Sequence, residues 1–333
     1  MLLNDLGEYD GWAEQAGAAS MLLQCEAVHR ASLMTVLLHL SDLHFGTEQQ
    51  PVVDALLRLV DTARPDLIVM SGDLTQRARR HQFDAARAFS ARFGATPFLT
   101  IPGNHDIPLY NVFGRATRSY AGFRRAFGDD LEPVFESAGM LVVGLNTTRA
   151  YRHKDGEVSA QQVERVARRL ERATAQQLRV VVTHQPIAPW RAGELRDLLH
   201  GRERAVSRWL PAGVDLVLGG HLHRPYVVPL HAESGEPTAR AWAVQAGTAL
   251  SARVRHGVAN SVNVIRFRYD NEMDARTRRV NVGRWDYSDE QKGFELVKQE
   301  ELELGGHPGS VSSSGSVSSS YSSPSSENRS QTT

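Results

Sequence analysis

Between Thr35 and Tyr287, short unbroken apolar runs alternate with longer stretches whose apolar residues recur every three or four positions. The runs TVLLHL (35–40), DLIVMSG (66–72), PFLTIPG (97–103), MLVVGLNT (140–147), LRVVVTH (178–184) and VDLVLGG (214–220) have the length and continuity of strands buried on both faces. Helices are predicted near Pro51–Ala63, Arg79–Phe93 and Ala160–Ala173; the last opens with Ser159 and Gln162 at capping-box spacing. Residues 107–130 read as an irregular stretch. Three further strands, RAWAVQAGT, NSVNVIRFRYD and RRVNVGRWDY, close the pattern. Strands alternating with helices, followed by a strand-rich end, predict a layered α/β domain on two packed sheets.

The ends differ from this pattern. Residues 1–33 are rich in Ala and Gln, with one weak amphipathic helix expected around Ala13–Val28. They are read as an appendage or as a mis-assigned start, with Met34 as the alternative first residue. The domain itself is placed at 34–285, with a charged extension at 286–304. Residues 305–333, dominated by Gly and Ser, lack the apolar surface to offset ordering and are expected to be disordered.

Composition narrows the chemistry. Lys+Arg and Asp+Glu are 38 each, so the chain carries no net positive charge for gripping long nucleic acid. Its one cysteine, Cys25, excludes an internal disulfide and any Cys-rich zinc motif. No apolar run is long enough to span a membrane, and MLLNDLGEYD lacks the basic start of a secretory signal. A cytoplasmic protein with no membrane insertion is expected.

Chemistry-bearing residues follow the strands. Asp42 and His44 come after the first, Asp73 after the second, and Asn104, His105 and Asp106 after the third. His184 follows a later strand, and His221 and His223 the next. Carboxyl ends of strands are where α/β sheets place ligand sites. Oxygen and imidazole donors without thiolates suit a pair of divalent ions such as manganese, iron or zinc. Taken singly, SDLH and GDLT are ordinary loop sequences, and GNHD or GGHLH alone is ambiguous. All five in order, each at a strand end, are not.

Asp42-Leu43-His44, Gly72-Asp73, Gly103-Asn104-His105-Asp106, His184 and Gly220-His221-Leu222-His223 together resemble the calcineurin-like metallophosphoesterases over roughly residues 35–270. The resemblance implies a four-layer α/β/β/α sandwich and two divalent ions (Mn²⁺, Fe²⁺/Fe³⁺ or Zn²⁺). One ion would be held by Asp42, His44, Asp73 and His223, and the other by Asp73, Asn104, His184 and His221, with Asp73 bridging. It implies hydrolysis of a phosphodiester by a bridging hydroxide. His105 would serve as acid or stabiliser of the leaving oxygen, with Asp106 orienting its ring. The text LLHLSDLHFG, GDLT and GNHD is most similar to bacterial class III cyclic-nucleotide phosphodiesterases. Those often read H-H-P-P where this chain has His184-Gln185-Pro186-Ile187. The expected partner is a small phosphodiester, with cyclic nucleotides first, and a homodimer is compatible with the group. The alternatives are a nuclease or phosphomonoesterase using the same site, and a non-catalytic metal-binding scaffold.

Other residues carry weaker readings. His39, inside the first strand, is expected to be a core or second-layer histidine. His81, His153, His200, His231 and His256 are assigned to surface or loops. Arg115, Arg118, Arg124 and Arg125, like Arg77, Arg79 and Arg80, fit a phosphate-attracting wall or an ordinary surface helix equally, and Gly247-Thr248 a site wall or a sheet turn.

Overall fold

The computed structural model describes residues 33–109, 115, 117–191, 193–231, 240–255, 257–269 and 278–305. The expected helix around Ala13–Val28, His256 and the Ser-rich segment after Gly305 lie outside them. Two six-stranded mixed sheets form the centre. The first has the order β12-β11-β10-β1-β2-β3 and the second β4-β5-β6-β7-β9-β8. In the first sheet, β1 (Leu33–Leu40), β2 (Leu67–Met70) and β3 (Phe98–Thr100) run parallel, and β10 (Ser261–Tyr269) pairs antiparallel with β1. The antiparallel strands β11 (Arg279–Ser288) and β12 (Gly293–Glu303) extend that side. In the second, β5 (Met140–Gly144), β6 (Leu178–Val182), β7 (Leu216–Gly219) and β9 (Ala241–Gln245) are parallel, flanked antiparallel by β4 (Val134–Glu136) and β8 (Tyr226–Leu230).

The unbroken apolar runs are explained by burial on both faces, because successive side chains alternate across a strand. Leu37, Leu67, Val69, Val180, Val182, Leu216 and Leu218 pack into the layer between the sheets. Their neighbours Leu38, Ile68 and Met70 face the helices of the first sheet instead. Val181 and Val217 do the same for the second. Helix α1 (Gln50–Ala63) covers the first sheet with Val52, Val53, Leu56, Leu59 and Val60, one face of a 3.6-residue repeat. It has Pro in its first turn and ends at Arg64 in the left-handed region (φ 46°). Helices α2 (Arg80–Ala91) and α3 (Ala121–Phe127) lie on the same side, contributing Phe83, Phe89 and Phe123. Helix α4 (Ala160–Leu170) opens with the expected capping box: Ser159 Oγ accepts from the Gln162 amide at 3.1 Å, and Gln162 Oε1 accepts from the Ser159 amide at 2.9 Å. With α5 (Arg202–Trp209) it covers the second sheet through Val163, Val166, Leu170 and Trp209. The result is the four-layer α/β/β/α sandwich.

Strands β4, β8 and β12 and helix α5 are absent from the sequence reading, and the stretch read as irregular contains α3. Residues 293–303, read as a charged extension, form the outermost strand of the first sheet.

Candidate metal centre

Both sheets point their parallel strands' carboxyl ends at one rim, and their loops interlock there. The loops after β1 and β2 continue the pairing past the strands: Asp42 N donates to Gly72 O (3.1 Å), His44 N to Asp73 O (2.9 Å) and Phe45 N to Leu74 O (2.8 Å). The two halves of the molecule are then joined crosswise. His221 N donates to Asp42 Oδ2 at 2.9 Å, and His184 Nδ1 lies 2.9 Å from Ser71 O. Such close approach leaves no room for side chains at two glycines. A Cβ at Gly103 would collide with the Asp73 backbone, and one at Gly220 with Ser41 and Asp42.

Five of the expected site residues occupy left-handed backbone: Asp42 (φ 53°), His44 (47°), Asp73 (51°), His221 (71°) and His223 (56°). Non-glycine residues visit this region at a cost of about 1–3 kcal/mol each. The conformation turns each side chain inward instead of letting it follow the strand's alternation.

The side chains converge into two triads, Asp42/His44/His223 and Asp73/His184/His221, each with donor atoms within 4.8 Å of one another. His223 Nε2 lies 3.4 Å from Asp42 Oδ1, and His44 Nε2 3.6 Å from the same oxygen. Asp73 faces both groups: its Oδ1 is 3.3 Å from His184 Nε2 and its Oδ2 is 3.8 Å from His44 Nε2. Asn104 Oδ1 is 3.2 Å from His184 Nε2. All seven expected ligand positions are thus brought together.

The donor set fits divalent cations. Asp42 Oδ1 is buried without a hydrogen-bond partner among the described residues, a costly state for a carboxylate oxygen that has no cation. Burial opposes ionisation of Asp42, but His223, His44 and His184 outweigh it and hold the carboxyl well below the usual range. Asp73 is likewise lowered, with His184 the strongest opponent of its burial. Burial brings His221 down to about 4, helped by His184, and His223 to about 4 against the pull of Asp42. In His184 the carboxylates Asp73 and Asp42 overcome burial and raise the ring to about 9. His223 Nδ1 lies 2.6 Å from Thr248 Oγ1, which fixes its ring with Nε2 toward Asp42. Thr248 therefore belongs to the wall of the site.

Asp106 does something other than expected. Its carboxylate accepts from Gly103 N (2.9 Å), Leu74 N (3.0 Å), Thr75 N (2.8 Å) and Thr75 Oγ1 (2.8 Å). It therefore ties the Asp73 loop to the Asn104 loop and does not orient the His105 ring. That ring is held by the Gln76 carbonyl, 2.9 Å from Nδ1. Burial, then Asp73, raises Asp106 to about 6. Burial lowers His105, partly offset by Asp73.

A matching family model fits this geometry: the calcineurin-like phosphoesterase model covers residues 35–225. The chain belongs to that family. The family uses a dinuclear metal centre. Solved structures share the fold. A purple acid phosphatase from yellow lupin (Lupinus luteus) aligns at 13% identity and TM-score 0.60, over 82% of this chain and 54% of that one. A dimetal phosphatase from Danio rerio aligns at 15% identity and TM-score 0.53, over 81% of this chain and 99% of that one. This chain therefore spans about half the length of the lupin protein. No curated protein sequence matches it.

The site opens into a cleft of about 440 Å³. Its wall holds residues that sequence reasoning missed: Trp190, Arg191, Arg224, Arg253 and Arg255. Arg253 reaches furthest in. Its Nη1 lies 3.3 Å from both ring nitrogens of His44, 3.2 Å from His105 Nε2 and 3.2 Å from Gln76 Oε1. Nothing local marks these positions except that Arg224 directly follows GGHLH and Trp190 closes the loop after His184. Arg115 turns to backbone carbonyls at Ala150 and Arg152 and lies outside the cleft lining, as do Arg118, Arg124, Arg125, Arg77, Arg79 and Arg80. His39 is a buried core residue, 2.9 Å from Ser71 Oγ, lowered to about 3 by burial. No helix among the described residues is long and apolar enough to cross a membrane.

Proposed function

We propose that this protein is a metal-dependent hydrolase of phosphodiesters. The observation that carries the reading is Asp73, whose two carboxylate oxygens each face a different triad. A shared carboxylate offsets the repulsion between two cations held a few ångströms apart. Asp42, His44, Asp73 and His223 would hold one ion, and Asp73, Asn104, His184 and His221 the other. When bound, such a pair supplies Lewis acidity and a water acidic enough to act as nucleophile near neutral pH.

The remaining work falls to the chain's own side chains. His105, with Nδ1 committed to the Gln76 carbonyl, presents Nε2 to the cleft, where its imidazolium form, after taking up a proton at Nε2 from solvent, gives that proton to the leaving oxygen or steadies its charge. Arg253 Nη1, beside that nitrogen, offers a fixed cation to a non-bridging phosphate oxygen. Asp106 acts at one remove, by locking together the loops that carry Asp73 and Asn104. Cyclic 3′,5′-nucleotides are the first natural diesters to test. A phosphomonoesterase is the second reading, favoured by the excess of basic side chains in the cleft wall, which suits a dianion.

The test is hydrolysis of bis-p-nitrophenyl phosphate by metal-stripped protein reloaded with Mn²⁺, beside Asp73→Ala. Turnover that returns with metal and is lost in the variant is expected. Bound metal without turnover of this diester, of cyclic AMP or of p-nitrophenyl phosphate would leave the scaffold reading in its place.

A further inference from the structure

We infer that the cleft holds a second phosphate group of the substrate on Arg191 and Arg224, the two guanidinium groups that stack on Trp190. The inference rests on the phosphoesterase reading and specifies its substrate class: a small organic phosphodiester that carries an additional phosphomonoester.

The argument starts from charge. The chain as a whole is neutral, with 38 basic and 38 acidic residues. The cleft wall is not. Lys154, Arg191, Arg224, Arg253 and Arg255 line it, and none of the five has a carboxylate ion-pair partner among the described residues. Arg196, also in the wall, is matched by Glu194 at 3.1 Å. Asp197 is the other acidic group there outside the metal cluster.

Crowding cations costs energy. Unpartnered like charges in a concave wall are what a protein maintains for an anionic ligand, because the low-dielectric walls focus their field on the space between. A diester phosphate is a single negative charge. Two divalent ions against Asp42 and Asp73 already leave that end positive, and Arg253 adds to it. Arg191 and Arg224 are surplus to that need.

Their placement is also fixed. Both guanidinium carbons lie 4.4 Å from the Trp190 ring. Stacking on an indole restrains the guanidinium group while leaving its N–H edge free, so less freedom is lost when it binds a phosphate. Trp190 and Arg224 are half-buried and form the built part of the wall, while Arg191 is exposed and reaches the ring from the solvent side. The cleft's volume of about 440 Å³ falls within the about 300–1,000 Å³ that houses small organic ligands. A nucleoside with phosphates at both ends has the size and charge required.

Two chromogenic esters isolate the second phosphate: thymidine 5′-(p-nitrophenyl phosphate) and the same ester carrying a 3′-phosphate. Metal-loaded protein is expected to favour the 3′-phosphorylated ester in kcat/KM by about tenfold or more, the scale of a charge-assisted contact. In Arg191→Ala/Arg224→Ala this ratio is expected to fall close to one. In Arg191→Lys/Arg224→Lys, which keeps the charge and loses the planar fork, it should stay between the two. Calorimetry with thymidine 3′,5′-bisphosphate against thymidine 5′-monophosphate gives the same comparison without turnover. The bisphosphate should bind more tightly, and the double alanine variant should lose the difference. Turnover of both esters at equal efficiency, equal affinities, or a preference that survives the double alanine variant would overturn the inference. Failure to hydrolyse either ester, together with failure on bis-p-nitrophenyl phosphate, cyclic AMP and p-nitrophenyl phosphate, would break the phosphoesterase reading, and the calorimetry would still decide on the second phosphate.

Discussion

The second sheet carries a buried charge cluster at each end, and the two are built on opposite plans. At the amino ends of β6 and β7, Asp215 sits between Arg179 and Arg278, all three buried. Arg179 donates to it from its amide (2.8 Å), Nε (3.1 Å) and Nη2 (2.9 Å), and Arg278 from Nη1 (2.7 Å) and Nη2 (2.9 Å). Both carboxylate oxygens are saturated by relaxed, extended chain. At the carboxyl ends of the same strands lies the His and Asp cluster. There Asp42 Oδ1 has no partner among the described residues, and five side chains hang from left-handed backbone. In the first cluster both carboxylate oxygens are satisfied within the protein, and the buried atoms left without partners among the described residues are guanidinium nitrogens, Arg179 Nη1 and Arg278 Nε. In the second it is a carboxylate oxygen that is left open, the kind of atom a cation satisfies. The difference separates a structural ion cluster from a functional one more sharply than burial or charge, which the two share.

Substitutions at the two ends should therefore have crossed effects. Asp73→Ala should cut turnover of a diester by about 10³-fold or more, while moving the melting temperature of the metal-free protein less than Asp215→Ala does. Asp215→Ala leaves two buried guanidinium groups unpaired and should cost about 3–5 kcal/mol of stability in denaturant titration, with kcat of the folded protein retained. A stable Asp215→Ala protein would erase the contrast. Thr248→Val removes the oxygen beside His223 Nδ1 and should weaken metal affinity by about 10–100-fold, read by competition with a chelator. The smallest effect is in proton linkage. His184, raised to about 9, is protonated at neutral pH without metal and must lose that proton to coordinate. Metal affinity should therefore rise with pH below about 9, by up to about tenfold per unit for that one proton. Calorimetry in buffers of different ionisation enthalpy should register the release.

The same contrast explains what was legible in the sequence. Asp42, Asp73, Asn104 and the histidines stand out because each breaks an unbroken apolar run at its end, so their meeting follows once the strands align. Asp106 illustrates the limit. Its place in GNHD was readable, but of its four donors only Gly103 N is local, and the three from Leu74 and Thr75 lie about thirty positions upstream. Arg253 and Trp190 lie on loops whose sequence has no period, and only the packing of both sheets brings them to one wall. Strand β12 went unread because its KQEELE segment is charged and mostly exposed, with only Leu302 buried, as suits an edge that must not recruit another strand. Strands β4 and β8, also at an edge, are only partly buried and show little alternation.

One pairing has a consequence for how the chain is made. Strand β1 lies between β2 and β10, with Leu37 opposite Ile265. Some 228 residues separate those partners, so at about 5–20 residues per second on the ribosome β1 waits roughly ten to fifty seconds for its neighbour. During that time an apolar strand keeps one edge open, the kind of surface on which incomplete chains associate wrongly. Truncation before β10 would leave the nascent chain with that edge open, even though all seven metal-site positions have already been synthesised.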